Sequence, residues 1–287
     1  MFDLKILVTG FAGQLGYDVV KRAKLMNIEA VGIDINTLNL TDIQAVEQYF
    51  IAQNDFDAII HCAAYTNVDK AEEDIDAARR VNVEATKYLI NAAKKMQAKF
   101  MYISTDYVYD GDGDLPFTET SPTNPQTVYG LTKFEGEQAT DDYDKTFIVR
   151  ISWVFGINGH NFIKTMLKLA QTRDEIDVVG DQIGSPTYTF DLAILLLEMI
   201  KTEKYGLYLA ANENYCSWYE FAVAIFEQAG ISMKVNKLTS AEYPVATKRP
   251  LNSRMDKSKL VEKGFSSLPT WQDALKRYLI ELTTEEK

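Results

Sequence analysis

Tyr129 and Lys133 stand four residues apart in Tyr129-Gly130-Leu131-Thr132-Lys133, a spacing that puts both side chains on one face of a helix. An ammonium held beside a phenol favours the phenolate, so the pair is expected to draw the Tyr129 pKa down from about 10 towards the working pH. Such a tyrosine can protonate a ketone oxygen or take a proton from an alcohol. The spacing alone is common, and its weight comes from its neighbours. Ser104 and Thr105 close an apolar run at Lys99 to Ser104, where a hydroxyl can share a hydrogen bond with a substrate carbonyl. Asn82, after Val81, is placed to order a water or a backbone group behind the lysine.

A second group of residues points to a dinucleotide. Gly10, Gly13 and Gly16 sit between the first apolar run, Lys5 to Thr9, and the following helical pattern. Glycines there allow a tight turn and close backbone approach, so a pyrophosphate can rest on the helix N-terminus. Asp34 ends the second apolar run, where a carboxylate can hold the adenine-ribose hydroxyls. It would repel a ribose 2′-phosphate, and no Lys or Arg lies between Glu29 and Tyr49 to offset it. The residues by themselves therefore lean towards NAD(H).

Other chemistries find little support. Of the two histidines, His61 ends a buried-looking strand and reads as a satisfied core residue, and His160 sits in a glycine loop. Cys62 and Cys216 cannot build a disulfide framework or a cysteine-rich zinc site, and Cys62 reads as a small core residue. There is no Gly-x-Ser-x-Gly elbow and no Walker loop. A formal charge of −11 argues against nucleic acid or an anionic membrane as partner. No apolar stretch reaches the roughly 18 residues of a membrane span. Met1-Phe2-Asp3-Leu4-Lys5 enters a strand without a secretory pattern, which makes the cytoplasm the expected compartment.

These residues need a scaffold, and 287 residues with 46% hydrophobic content can supply a full core. Strands are expected at Lys5 to Thr9, Ala30 to Asp34, Ala58 to Cys62, Lys99 to Ser104 and Thr146 to Ile151. Helices are expected at Gln14 to Met26, from Thr41-Asp42 to Gln53, over Asp74 to Met96, and around Tyr129. Alternation of this kind implies a Rossmann-type, doubly wound parallel α/β sheet. Asp110 to Gln126 reads as a long surface loop. After Trp153 the rhythm loosens. Helices are expected at Asn161 to Gln171, Thr189 to Thr202, Ser217 to Ala229 and Thr270 to Leu282, with short strands at Asp177 to Val179 and Leu207 to Leu209. Thr283 to Lys287 reads as a frayed tail. The expected division is a dinucleotide-binding domain over residues 1–155 and a smaller C-terminal α/β substrate lobe over 156–287, interleaved at the boundary.

Taken together the chain resembles the extended short-chain dehydrogenase/reductase family, in the branch that reduces keto sugars carried on dTDP. The resemblance runs through Gly10-Phe11-Ala12-Gly13-Gln14-Leu15-Gly16, His61 to Asp69, Tyr102 to Tyr109, Tyr129 to Lys133, Arg150 to Val154, Asp181 to Thr187 and Arg249 to Ser253. It implies reduction of dTDP-4-dehydro-β-L-rhamnose by NADPH or NADH, since family members often accept both. Tyr129 would be the proton donor with Lys133 its partner. Thr105 would polarise the keto oxygen, Asp106 would contact the sugar, and Trp153 would line the sugar site. Gly13, Gln14 and Leu15 would meet the pyrophosphate, and Ala63, Ala64 and Tyr65 the middle of the cofactor. Asn39 and Leu40 fall at the adenine side, although an acidic residue is usual where Asn39 stands. Arg249 is the candidate for the substrate diphosphate. Relatives that dimerise through magnesium make Asp18, Asp191 and Glu281 candidate ligands at a homodimer interface, the alternative being a monomer without metal. Related dehydratases carry Glu after the Thr-Asp pair, whereas Tyr107 follows Asp106 here. A sugar epimerase of the same fold, and a non-catalytic cofactor-binding subunit like the one beside methionine adenosyltransferase, are the other readings.

Overall fold

In the computed structural model, Ile6 and Val8 point to one face of strand β1 (Leu4–Thr9) and Leu7 to the other, and none of the three is exposed. A strand buries alternate residues on both sides only when both faces of its sheet are covered, the signature of a parallel sheet between helices. The structure describes residues 4–243 and 246–285. Met1, Phe2 and Asp3 of the expected strand entry, and Glu286 and Lys287 of the expected tail, lie outside the described residues.

Along the chain β1 is followed by α1 (Gln14–Ala23), β2 (Ile28–Ile33), α2 (Ile43–Ala52) and β3 (Ala58–His61). Helices α3 (Val68–Glu73), α4 (Ile75–Arg79) and α5 (Ala85–Met96) lead to β4 (Lys99–Thr105), and α6 (Val128–Gln138) leads to β5 (Thr146–Ile151). The rest runs β6 (Val154–Phe155), α7 (Phe162–Leu169), β7 (Glu175–Val179), β8 (Ile183–Gly184), β9 (Thr187–Tyr188), α8 (Thr189–Ile200) and β10 (Gly206–Leu209). It ends with β11 (Cys216–Ser217), α9 (Trp218–Ala229), β12 (Lys234–Leu238), β13 (Asn252–Ser253), α10 (Ser258–Glu262) and α11 (Trp271–Glu285).

Six strands form one parallel sheet in the order β10-β5-β4-β3-β1-β2. The chain leaves β1 towards β2 on one side and returns to β3 on the other, and the crevice beyond that switch point is where such sheets hold ligands. Residues from α1 and α8 cover one face of the sheet, and residues from α2 and α5 cover the other. A separate aromatic-rich cluster packs Phe155, Phe221, Trp271 and Tyr278 within the C-terminal segments. No helix among the described residues is long and apolar enough to cross a membrane.

Several elements differ from the expected ones for local reasons. The first helix ends at Ala23, and a 3-10 turn at Lys24–Met26 closes on Asn27 in a left-handed conformation (φ 58°). The helix expected over Asp74 to Met96 is interrupted by a π-type turn at Arg80–Glu84. There the Asn82 carbonyl accepts from the hydroxyls of Thr86 at 2.8 Å and Tyr102 at 3.4 Å, side chains that compete with the helical ladder. Helix α3 was not expected; the Asn67 side chain caps it by accepting from Lys70 N at 3.0 Å. The expected tail is helical through Glu285. The strand expected at Asp177 begins at Glu175 and pairs in parallel with β12.

Helix α6 reaches the sheet because two of its residues are glycines. A Cβ on Gly130 would lie 2.2 Å from the Tyr107 carbonyl oxygen, and one on Gly136 would lie 2.1 Å from the Tyr102 hydroxyl and 2.5 Å from the Asn82 carbonyl oxygen. Alanine at 136 must therefore push the helix off β4 or displace the tyrosine. Gly136→Ala is expected to destabilise the fold by about 1–3 kcal/mol, the range for overpacking, in urea unfolding. An unchanged midpoint would show that the helix tolerates the larger separation.

Candidate active site

The crevice at the carboxyl ends of β1 and β3 is a cleft of about 890 Å³ that runs from Asp34, Asn39 and Leu40 at one end to Tyr129, Lys133 and Trp153 at the other. Between them lie the glycine turn, with Gln14 and Leu15, and Ala63 and Ala64. The turn's geometry explains its composition. Gly10 has φ 70°, and a Cβ there would stand 2.7 Å from Ala63 N. A Cβ on Gly16 would stand 2.4 Å from the Gly10 carbonyl oxygen. Gly13 is the N-cap of α1 and brings no side chain to its first turn. A flat, uncapped helix start at the wall of a long cleft fits a dinucleotide's pyrophosphate. Asp34 follows β2, and its Oδ1 accepts from Asn36 N at 2.9 Å and Thr37 N at 3.2 Å, which fixes the carboxylate at this end of the cleft. Asn39 is fixed in a similar local turn by Thr41.

At the other end burial decides the electrostatics. Tyr129 is pushed up to about 12, first by burial; the Thr105 hydroxyl pulls the other way and the Asp106 carboxylate adds to the rise. This corrects the expected depression by Lys133. The lysine's ammonium nitrogen donates to the Ile103 carbonyl at 2.7 Å and lies 4.0 Å from the centre of the Tyr102 ring. Burial lowers Lys133 itself to about 7, against the pull of Glu137. Desolvation of the phenol therefore outweighs any lowering by the lysine one turn away. Asp106, also buried, is raised to about 6 by desolvation, moderated by the hydroxyls of Ser253 and Thr105. Its Oδ1 accepts from Thr105 at 3.1 Å, while Oδ2 is buried with no partner.

Other expected residues divide into those the cleft gathers and those it does not. Thr105, Asp106, Tyr129, Lys133 and Trp153 share its walls. Trp153 has φ 47°, an uncommon conformation for a bulky residue, and stacks on Trp218 with ring centroids 3.8 Å apart. Ser104 also lines the cleft, but its hydroxyl is committed to the Glu137 carboxylate. Tyr65 is not among the wall residues; its backbone N donates to Asn82 Oδ1 at 2.8 Å, so Asn82 orders backbone there. The Gln14 side-chain oxygen is taken by Gly156 N at 2.9 Å and Asn161 Nδ2 at 3.2 Å, which ties the turn to the following lobe. Arg249 stands outside the main cleft, in a small recess beside Tyr107, and pairs with Asp69 at 2.7 Å. Cys62 packs against the core as expected and also contributes to the cleft wall. His61 is buried as expected, between the Thr9 and Thr86 hydroxyls at 2.7 and 3.1 Å, and burial lowers it to about 3. His160 lines the cleft.

The three carboxylates considered for magnesium do not converge. Asp191 is held by Arg277 through two bonds of 2.7 Å, Glu281 by Arg22, Lys21 and the Tyr188 hydroxyl, and Asp18 by the Thr189 hydroxyl. Among the described residues no group of three or more potential ligands is arranged to hold a metal ion.

A parallel doubly wound sheet with a glycine turn and a long cleft walled by Thr105, Tyr129 and Lys133 defines an oxidoreductase of the short-chain dehydrogenase/reductase kind. The chain belongs to the RmlD substrate binding domain family, which matches residues 4–284. It is 40% identical to the dTDP-4-dehydrorhamnose reductase of Aggregatibacter actinomycetemcomitans, over 95% of this chain and 97% of that one. The crystal structure of a dTDP-4-dehydrorhamnose reductase from Clostridium acetobutylicum superposes with a TM-score of 0.94 at 41% identity, covering 98% of this chain and 100% of that one. The reductase from Bacillus anthracis, solved in complex with NADP, gives 0.94 at 38% identity with the same coverage.

The raised Asp106 carboxyl has a consequence for stability. An ordinary carboxyl has lost its proton above about pH 4, while the folded protein keeps the Asp106 proton up to about 6. Between those values the folded state binds more protons than the unfolded chain, so stability falls as pH rises through the window and stays lower above it. Asp106→Asn, which carries no charge, is expected to melt above wild type at pH near 8 and to lose that advantage at pH near 4. A variant that melts lower than wild type by the same margin at both would refute the assignment.

Proposed function

We propose that the protein reduces dTDP-4-dehydro-β-L-rhamnose to dTDP-β-L-rhamnose, with NADPH or NADH as reductant. The observation that carries this reading is that one cleft joins an uncapped glycine turn at its middle to Thr105, Asp106, Tyr129 and Lys133 at its end. The names of the relatives supply the substrate. A reduced nicotinamide, when bound, supplies the hydride that the keto carbon needs.

The chain's own residues would do the rest. Tyr129, a phenol with its pKa raised to about 12, is protonated at neutral pH, the form a proton donor to the keto oxygen requires. As negative charge develops on that oxygen its basicity rises, and the proton moves to it from Tyr129. Thr105 accepts from Tyr107 N at 3.3 Å and donates to Asp106. Its hydroxyl is thereby fixed where, by turning its one proton away from Asp106, it would donate to the keto oxygen or the phenol. Lys133 would offset the charge left on the Tyr129 oxygen and hold the nicotinamide ribose. Asp106, with one buried oxygen free of partners, would read a sugar hydroxyl. Trp153, braced by Trp218, would form the aromatic wall of the sugar end. Arg249 would meet the diphosphate only by exchanging its bond to Asp69 for one to phosphate. The Gly10, Gly13 and Gly16 turn with Gln14 and Leu15 would seat the pyrophosphate, and Asp34, Asn39 and Leu40 the adenosine half.

The test is nicotinamide consumption with the keto sugar generated in place from dTDP-glucose by its dehydratase and epimerase. Turnover that requires the sugar is expected, and Tyr129→Phe should lower kcat by about 10²–10⁴-fold while leaving nucleotide affinity intact, the range for loss of a general acid. No sugar-dependent consumption with either cofactor would sink the reading. Asp34→Ser should raise kcat/KM for NADPH relative to NADH, because the carboxylate facing a 2′-phosphate is removed. An unchanged ratio would place the choice of cofactor elsewhere.

A further inference from the structure

Behind the reacting end of the cleft lies a second buried set that none of these steps uses. Tyr129, Lys133 and Glu137 follow one another at four-residue intervals along α6, so they share a face. Glu137 and Arg150 are each 4% exposed. Arg150 grips the carboxylate with two bonds, Nε to Oε1 at 2.9 Å and Nη2 to Oε2 at 2.6 Å, and the Ser104 hydroxyl donates to Oε1 as well. Ser104 and Arg150 are register partners on β4 and β5, one residue before Thr105. The remaining Arg150 nitrogen, Nη1, donates to the Tyr109 hydroxyl at 2.9 Å, and that hydroxyl donates to the Thr118 carbonyl. One carboxylate thus joins the helix of the acid, the strand of the threonine and the long loop. Buried ion pairs contribute little net stability against apolar substitutes of the same size, which directs attention to what this one holds in place.

We propose that Glu137 and Arg150 are positioning residues for the reduction: they lock the helix carrying Tyr129 and Lys133 to the strand that ends in Thr105, and the Glu137 carboxylate keeps the Lys133 side chain cationic. The inference rests on Tyr129 and Lys133 being the catalytic pair proposed above. The titratable groups around Lys133 are His61 and Cys62 at the end of β3, Tyr102 on β4, and Tyr129 and Glu137 on its own helix. Burial holds His61 neutral at about 3, pushes Cys62 and Tyr129 up to about 12, and raises Tyr102 as well. The carboxylate paired with Arg150 is the strongest influence in this set that opposes the desolvation favouring neutral lysine.

Two variants separate this from a purely structural role. Glu137→Gln removes the charge; Glu137→Gln combined with Arg150→Gln also removes it without stranding a buried guanidinium. Glu137→Asp, which keeps the charge, serves as the rescue. In both neutral variants the alkaline limb of the kcat profile should move down by about one pH unit. At pH near 8 kcat should fall on the order of tenfold, the ammonium fraction lost in such a shift. KM for the keto sugar should stay within about threefold, as a positioning residue does not bind it. Glu137→Asp should return the limb towards wild type. The Lys133 Nζ resonance, followed by NMR on the full chain without substrate, should titrate lower by the same amount. That readout needs no turnover, so it tests the proposal even if the wild-type protein fails to reduce the sugar. An unmoved Lys133 titration in both neutral variants overturns the proposal, as does a loss of kcat that is uniform with pH.

Discussion

The reacting end of the cleft depends on how closely α6 approaches the carboxyl end of β4. The approach brings Gly130 against the Tyr107 carbonyl and Gly136 against the Tyr102 hydroxyl and the Asn82 carbonyl, where no Cβ can be admitted. It is reinforced by polar groups that bond across the gap: the Tyr102 hydroxyl to the Lys133 carbonyl at 3.2 Å, and Lys133 Nζ to the Ile103 carbonyl at 2.7 Å. With the helix seated this close, Tyr129 is brought to Thr105 and Lys133 is taken out of water. A looser helix would keep the same residues and lose their electrostatics.

That desolvation outweighs the pairwise attractions around it. For Tyr129, Lys133 and Asp106 alike, burial is the largest influence and moves each group towards its neutral form. The outcome suits a reduction, which needs a phenol that still has its proton rather than a standing phenolate. It also makes the lysine's charge something the surrounding protein must maintain. Asp69 and Arg249 show the other regime, a half-exposed pair at the rim whose partners can be exchanged.

Much of this was legible in the sequence, and the limits have physical causes. The parallel sheet followed from apolar runs separated by helical patterns, and the dinucleotide turn from Gly10, Gly13 and Gly16, since those residue types are dictated locally. Thr105, Tyr129 and Lys133 were found by type and spacing. What spacing could not convey is solvent exposure, so the direction of the Tyr129 shift came out reversed. The strand end offers two adjacent hydroxyls, and spacing does not show that the Ser104 hydroxyl is turned to the Glu137 carboxylate although both residues line the cleft. The π-type turn around Asn82 depends on hydroxyls from Thr86 and Tyr102, the latter distant in sequence. Glu137 and Arg150 were missed although the signal was present: a carboxylate continuing the four-residue interval of Tyr129 and Lys133, and glycine at 136 in the middle of a helix.

The central claim is that Tyr129 enters the reaction as a protonated phenol, and the most direct measurement is its own titration. With the tyrosine ring carbon that bears oxygen labelled, and Tyr129→Phe used to assign the resonance, its shift can be followed from neutral to alkaline pH. The account predicts a phenol throughout the neutral range with a midpoint near 12. A resonance already at the phenolate position at neutral pH would contradict it and return the site to a tyrosine activated by its lysine.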